Sequence, residues 1–320
     1  MTNDTPLVTI LSPCYNVERY LPQCIDSIVG QTYANLQIVM IDDGSTDGTW
    51  NVLQQYAARD SRIEVYHQDN QGVATTRNNL LDKASGQYTL FVDSDDWIEP
   101  TMVQFLVDKA QATNADIVIC AMVKNDTPCS PQYTEETMGQ ASTVKKFLFH
   151  KELSGSLWNK LVKTSLLHGV RFDPRISYGE DALFCWNILQ RAHTIIQTSK
   201  QLYHYRMNSA SISHQTWTPQ KKGSGHWAWE KIVEDTSKQW PQFLSIAKAR
   251  FAMEDFWAIY FAALSNFPFD DEIRIRQQNI RKGLPYMISQ KIDSPKKLFT
   301  AALLCRWYGF GAVLRKITKK

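Results

Sequence analysis

Five short apolar runs mark the first 120 residues: VTILS (8–12), LQIVMI (36–41), RIEVYH (62–67), YTLFV (88–92) and DIVICA (116–121). Their length and β-rich content predict strands. Their near-continuous apolar character predicts strands covered on both faces. Between the first two runs Tyr20, Leu21, Cys24, Ile25 and Ile28 recur at helical spacing, and Trp50, Leu53 and Ala57 do so between the next two. Strand and helix in alternation predict an α/β fold with a mostly parallel sheet and flanking helices. In such sheets sites lie beyond the C-terminal strand ends. Those ends carry PCYN (13–16), DDGSTD (42–47), QDNQG (68–72) and DSDDW (93–97).

Downstream the pattern changes twice. From Asn125 to about Gly139 the chain turns polar, with Pro128 and Pro131, which reads as an excursion or hinge. Val144 to Arg206 mixes helices with short strands expected at 157–162, 194–198 and 202–205. From Trp217 onward the patterning is helical, with apolar stripes from Trp227, Trp229, Ile232, Phe251, Phe256, Trp257 and Phe261. The expected division is therefore 1–215, itself split near residue 125, and a helical extension over 216–320.

Composition narrows the class. With 320 residues, 43% hydrophobic and 21% charged, the chain is globular rather than disordered, collagenous or polytopic. Its longest apolar run, Phe256 to Leu264, has nine residues, against the ~20 a spanning helix needs. The start MTNDT lacks a basic stretch followed by a long apolar one, so no export is expected. Cysteines 14, 24, 120, 129, 185 and 305 form no CxxC pair, and reduced thiols in a cytoplasmic location are expected. Net charge is +3, yet residues 291–320 hold eight Lys/Arg and one acid, so this tail carries +7 and the remainder −4. Positive charge confined to one end argues against nucleic acid along the surface.

The candidate chemistry sits in acidic loops. Asp93, Asp95 and Asp96 follow a buried strand, and carboxylates so close repel unless protons or a cation neutralise them. A hard divalent ion with diphosphate oxygens completing its shell relieves that repulsion. One acid alone would serve as a helix cap near Pro100. Asp42 and Asp43 read either as turn residues before Gly44 or as a carboxylate accepting from a uracil-like N–H, with Tyr15 stacking on the base. Arg77 reads as an anion-fixing guanidinium or a surface ion pair, and Gly72 as a backbone requirement of its turn. Glu180 and Asp181 open an amphipathic helix, where one acid can cap and the other act as general base. His204, in LYHYR, is either a packed strand histidine or a ligand to metal or phosphate.

Three stretches then resemble one family. The segments from Pro6 to Thr49, Gln71 to Trp97, and GEDALF at 179–184 look like the family 2 inverting glycosyltransferases of GT-A fold, of bacterial surface-polysaccharide or lipopolysaccharide type. PxYN, DDGSxD, GxxxxRN and VDSDD occur in order. The likeness is dense over 1–125 and thinner to about 215. It implies a nucleotide-binding half at 1–125 and an acceptor half at 126–215. Pro13, Tyr15, Asn16, Asp43, Gly72, Arg77, Asp93 and Asp95 would then bind the nucleotide, and Asp95, Asp96 and His204 a Mn²⁺ or Mg²⁺ ion. Asp181 would be the catalytic base, with Glu180 beside it. Thr75-Thr76 before Arg77 departs from the family's usual small residues. The implied reaction moves sugar from a UDP-sugar to a glycan or lipid-linked hydroxyl with inversion.

Other readings stay open. LFVDSDD also resembles the strand and DxD of haloacid-dehalogenase-type phosphatases, although Trp97 stands where that group has Thr. A nucleotidyltransferase would need acids and metal too, but its Gly- and Lys-rich N-terminal loop is missing. A non-catalytic nucleotide-binding protein docking on membranes by its basic end is a third. Leu298, Phe299, Ala302, Leu303 and Trp307 fall mainly on one side of a helix that Pro295 can start, with cations at its margin. Residues 291–320 are thus expected either to cap the core or to touch an anionic membrane, which would place the protein peripherally on the inner face of the plasma membrane.

Overall fold

The computed structural model describes residues 5–125, 127–149, 153–207 and 224–318. Trp217, the expected boundary at 215, and Lys319 and Lys320 lie outside the described residues. The chain forms two compact units. The first comprises Met1–Thr143, Ser156–Pro174 and Asn187–Asn208, and the second Val144–Gly155, Arg175–Trp186 and Ser209–Lys320.

The first unit is built on one sheet. Strands β1 (Val8–Cys14), β2 (Leu36–Asp43), β3 (Ile63–Gln68) and β4 (Tyr88–Phe91) form a parallel half in the order β3-β2-β1-β4. Helices α1 (Leu21–Val29), α2 (Thr49–Ala57) and α3 (Val73–Leu81) are the intervening connections. On α1, Pro22 occupies the first turn, where its missing N–H costs nothing, and Leu21, Cys24, Ile25 and Ile28 form the buried stripe. They join Val8, Ile10, Ile38, Met40, Leu90 and Val118 in one core. Each such Ile or Leu contributes ~1.5–3 kcal/mol on burial.

Beyond β4 the sheet becomes mixed. After β5 (Trp97–Ile98) and helix α4 (Met102–Thr113), β6 (Ile117–Lys124) does not pair with β4. Strand β8 (Lys160–Lys163) lies between them, antiparallel to both, so that Leu161 faces Leu90 on one side and Val118 on the other. The two short strands expected over 194–205 are one strand, β9 (Thr194–Tyr205), parallel to β6 and antiparallel to β5. The polar stretch read as a hinge contains β7 (Glu135–Gly139), which pairs with β9.

The second unit is helical. Its segments include the later residues of α5 (Gln140–Phe149) and the start of α6 (Glu180–Leu189), then α7 (Gly225–Gln239), α8 (Leu244–Leu264), α9 (Asp271–Ser289), α10 (Pro295–Leu304) and α11 (Phe310–Thr318). A Cβ at Gly283 of α9 would fall 2.2 Å from Ala252 Cβ of α8, so these two helices meet almost backbone to backbone. Fully buried Asp255 accepts from the Arg276 guanidinium at 2.6 Å and from Asn279 at 2.7 Å, with His226 Nδ1 at 2.8 Å. Removing the Arg276 guanidinium would deprive this buried carboxylate of its permanent counter-charge.

The basic tail belongs to this core. Ala301, Leu304, Cys305 and Leu314 pack with Met253, Phe256 and Ile280, while Phe299 and Trp307 remain 66% and 60% exposed. The tail's apolar residues are therefore divided between core and surface. Among the described residues no helix is long and apolar enough to cross a membrane.

Candidate functional site

Three loops at the C-terminal ends of β1, β2 and β4 are tied into one rim. Asn16, in left-handed backbone at φ 51°, donates its N–H to Ser45 Oγ at 2.9 Å and accepts from Thr46 N at 2.8 Å. Glu18 N donates to Asp47 Oδ2 at 3.1 Å, and Gly48 N donates to Glu18 Oε2 at 2.9 Å. Ser94 Oγ donates to the Pro13 carbonyl at 2.7 Å, joining the acidic loop to the end of β1. Tyr15 stands on this rim with half of its surface exposed, a large aromatic face open to a planar ligand.

Asp42 and Asp43 turn inward. Asp42 is fully buried, with His67 Nδ1 2.7 Å from its Oδ2. Asp43 accepts from Gln68 Nε2 at 2.8 Å and from the backbone N–H groups of Gln71 and Gly72, both at 2.9 Å. This carboxylate therefore shapes the 68–72 loop. Gly72 has φ +84°, a conformation side-chain-bearing residues avoid. It starts α3, which carries Arg77. Arg77 is buried, its Nη2 3.4 Å from Asp93 Oδ1 and its guanidinium over the Phe172 ring.

In the acidic loop Asp93 and Asp95 are half-buried and Asp96 is buried. Asp96 accepts from Tyr203 Oη and from Arg206 N, both at 2.7 Å. Burial, then the charges of Asp93 and Asp95, push its carboxyl up to about 8. The loop thus resists ionising all three of its carboxyls together, the condition a divalent cation relieves.

Tyr203 and Arg206 were not singled out from the sequence. Arg206 donates through Nε to the Asp95 carbonyl at 2.6 Å and lies over the rings of Tyr20 and Trp97. The legible signal was only its position at the end of LYHYR. Strand alternation separates neighbours here: Tyr203 reaches Asp96, whereas His204 stacks on Trp97 at 4.9 Å and has Glu99 Oε1 2.6 Å from its Nε2. Among the described residues the side chains that gather as a three-membered metal-type cluster are Glu99, Cys129 and His204. Asp95, Asp96 and His204, expected together around one ion, are not so gathered.

Glu180 and Asp181 belong to the second unit. Gly179, at φ +86°, leads into the first turn of α6. Glu180 is buried, and half-buried Asp181 accepts from Ala182 N at 2.7 Å.

Residues 9–174 match the family described as Glycosyl transferase family 2. Over 322 aligned residues the chain is 30% identical to Glycosyltransferase GlyA of Streptococcus pneumoniae serotype 4, covering 95% of this chain and 44% of that protein. It spans 44–65% of the length of the first curated relatives it matches. The structure of S. aureus TarS 1–349 in complex with UDP-GlcNAc aligns over 97% of this chain and 88% of that one, with a TM-score of 0.69 and 18% identity. Mannosyltransferase PcManGT from Pyrobaculum calidifontis, in complex with GDP-Man and Mn²⁺, aligns over 95% and 88% with a TM-score of 0.59 and 18% identity. These two likenesses establish a shared GT-A fold.

Proposed function

Because the chain belongs to glycosyl transferase family 2, we propose that it moves a sugar from a nucleotide diphosphate, of the UDP type, to a hydroxyl of a glycan or lipid-linked acceptor in surface-polysaccharide or lipopolysaccharide synthesis. The observation that carries this reading is the rim itself, where an open Tyr15 face and a loop of three crowded carboxyls lie at the ends of parallel strands. The oxygen-only donors Asp93 and Asp95 fit a hard Mg²⁺ or Mn²⁺ ion. When bound, such an ion neutralises negative charge on the departing diphosphate. Tyr15 stacks on the base, and Asp43 sets the 68–72 loop that frames it. Arg77, held against Asp93, orients the loop toward the diphosphate. Asp181 takes the proton of the acceptor hydroxyl as it attacks the anomeric carbon from the face opposite the nucleotide, giving inversion. Glu180 supports the helix start.

TarS is described with UDP-GlcNAc and PcManGT with GDP-Man, so the deciding experiment offers both nucleotide classes. Purified protein with Mn²⁺ is expected to be stabilised by a UDP-sugar by about 2.7 kcal/mol at a hundredfold excess over Kd, and to hydrolyse it slowly. Stabilisation by no nucleotide sugar would remove the reading.

Contact with an anionic membrane rests on exposed Phe299 and Trp307 beside the cations Lys296 and Arg306. Deleting the tail would strip Leu304 and Leu314 from the helical core, so point substitutions are the cleaner probe. Phe299→Asp with Trp307→Asp is expected to abolish co-sedimentation with phosphatidylglycerol vesicles. Undiminished sedimentation of the double variant would refute the contact.

A further inference from the structure

Glu99, Cys129 and His204 bring three chemically different ligand atoms within 4.8 Å of one another. Cys129 Sγ lies 3.7 Å from Glu99 Oε1 and 3.8 Å from His204 Nε2, and the last two atoms are 2.6 Å apart. Around a tetrahedral ion with a sulfur bond of ~2.3 Å and nitrogen and oxygen bonds of ~2.0 Å, the two edges to sulfur come to about 3.5 Å and the remaining edge to about 3.3 Å. Two edges therefore already fit within a few tenths of an ångström. The third needs the nitrogen and oxygen to part by about 0.7 Å on the same tetrahedral geometry.

The imidazole supplies an independent observation. His204 Nδ1 is 3.0 Å from the Asn125 carbonyl, which can only accept, so Nδ1 carries the hydrogen. Nε2 then faces a carboxylate oxygen at 2.6 Å, so the two atoms share one bridging position. A metal ion is one group that can bridge such a nitrogen–oxygen pair. His204 has only 8% of its side chain exposed, and a backbone carbonyl behind the ring is the usual outer partner of a metal-bound histidine. A thiol in the set selects for a softer ion than Mg²⁺ or Mn²⁺.

We propose that Glu99, Cys129 and His204 form a zinc-type site, separate from the oxygen-only acidic loop, with water as fourth ligand. On binding, the Cys129 thiol releases its proton to solvent and the sulfur lone pair forms the metal–sulfur bond, while Nε2 and the carboxylate donate theirs. The ion pins the segment around Cys129 to the end of β5 and to β9.

The test uses the full chain, stripped with chelator and loaded with Co²⁺ alone. One equivalent is expected to bind with thiolate-to-cobalt charge-transfer absorption, which Zn²⁺ bleaches. The Cys129→Ser variant should lose the band and Asp95→Ala should keep it. Absence of the band in the parent chain, its survival in Cys129→Ser, or its loss in a folded Asp95→Ala would overturn the proposal. Should Cys129→Ser fail to fold, alkylation of the parent protein decides: Zn²⁺ must protect Cys129, located by peptide mass, and equal labelling with and without Zn²⁺ rejects the site.

Discussion

Asp181→Asn is expected to lower turnover by roughly 10²–10⁴-fold, the usual cost of a lost general base, while donor affinity stays close to that of the parent. The amide keeps the size of the carboxylate and can still accept the Ala182 N–H through its remaining oxygen. What it loses is the ability to take a proton, so an effect confined to kcat isolates chemistry from binding. Glu180 provides the internal comparison. It is 9% exposed, whereas Asp181 is half-buried, and Glu180→Gln should cost stability more than rate. Steady-state kinetics with a separate measurement of nucleotide binding decides the assignment. If Glu180→Gln shows the rate loss and Asp181→Asn does not, the base is the other neighbour.

Asp95→Ala should abolish transfer and remove the Mn²⁺-dependent part of UDP binding, because the diphosphate keeps its charge while the ion loses a ligand. A second readout separates this from general damage. The Asp96 carboxyl is pushed up to about 8, first by burial and then by Asp93 and Asp95, from an ordinary value near ~3.9. Between those values the native state binds more protons than the unfolded chain. Metal-free stability should therefore fall as pH rises from about 4 to about 8, with a slope of at most ~1.4 kcal/mol per pH unit for one proton. Removing the Asp95 charge weakens that push, so the variant should lose less stability over the same interval. Denaturant unfolding at pH 5 and pH 8 measures it. Full activity of Asp95→Ala after chelator treatment, or an equally steep pH dependence, would count against the assignment.

The apolar runs and the polar loops that follow them were legible because both depend on neighbours close in the chain. Leu21, Cys24, Ile25 and Ile28 form a helix face at their spacing whatever lies opposite, and this stripe is indeed buried. The acidic, Gly-containing and Tyr-bearing segments fell at strand ends for the same reason. Less was legible where a residue's partner is distant. Asp43 could be placed at the end of its strand, but not its three hydrogen bonds from the 68–72 loop. Arg206 gave little sign that it would meet the Asp95 carbonyl 111 residues away.

By itself, then, the amino-acid sequence determined the strands β1 to β4 and β6, their order along the chain and the chemistry presented at their ends, since short-range periodicity decides which face of each helix and strand is apolar. Tertiary structure decided what that periodicity does not contain. Pairing with β5 and β6 set which neighbour each face of β9 meets, directing Tyr203 to Asp96 and its next residue His204 to Glu99. Insertion of β8 interrupted the parallel order, and packing on α8 and α9 divided the tail's apolar residues between core and surface. Successive side chains of a strand point to opposite faces, so the partner on each face, a matter of long-range pairing, fixed which polar groups could act together.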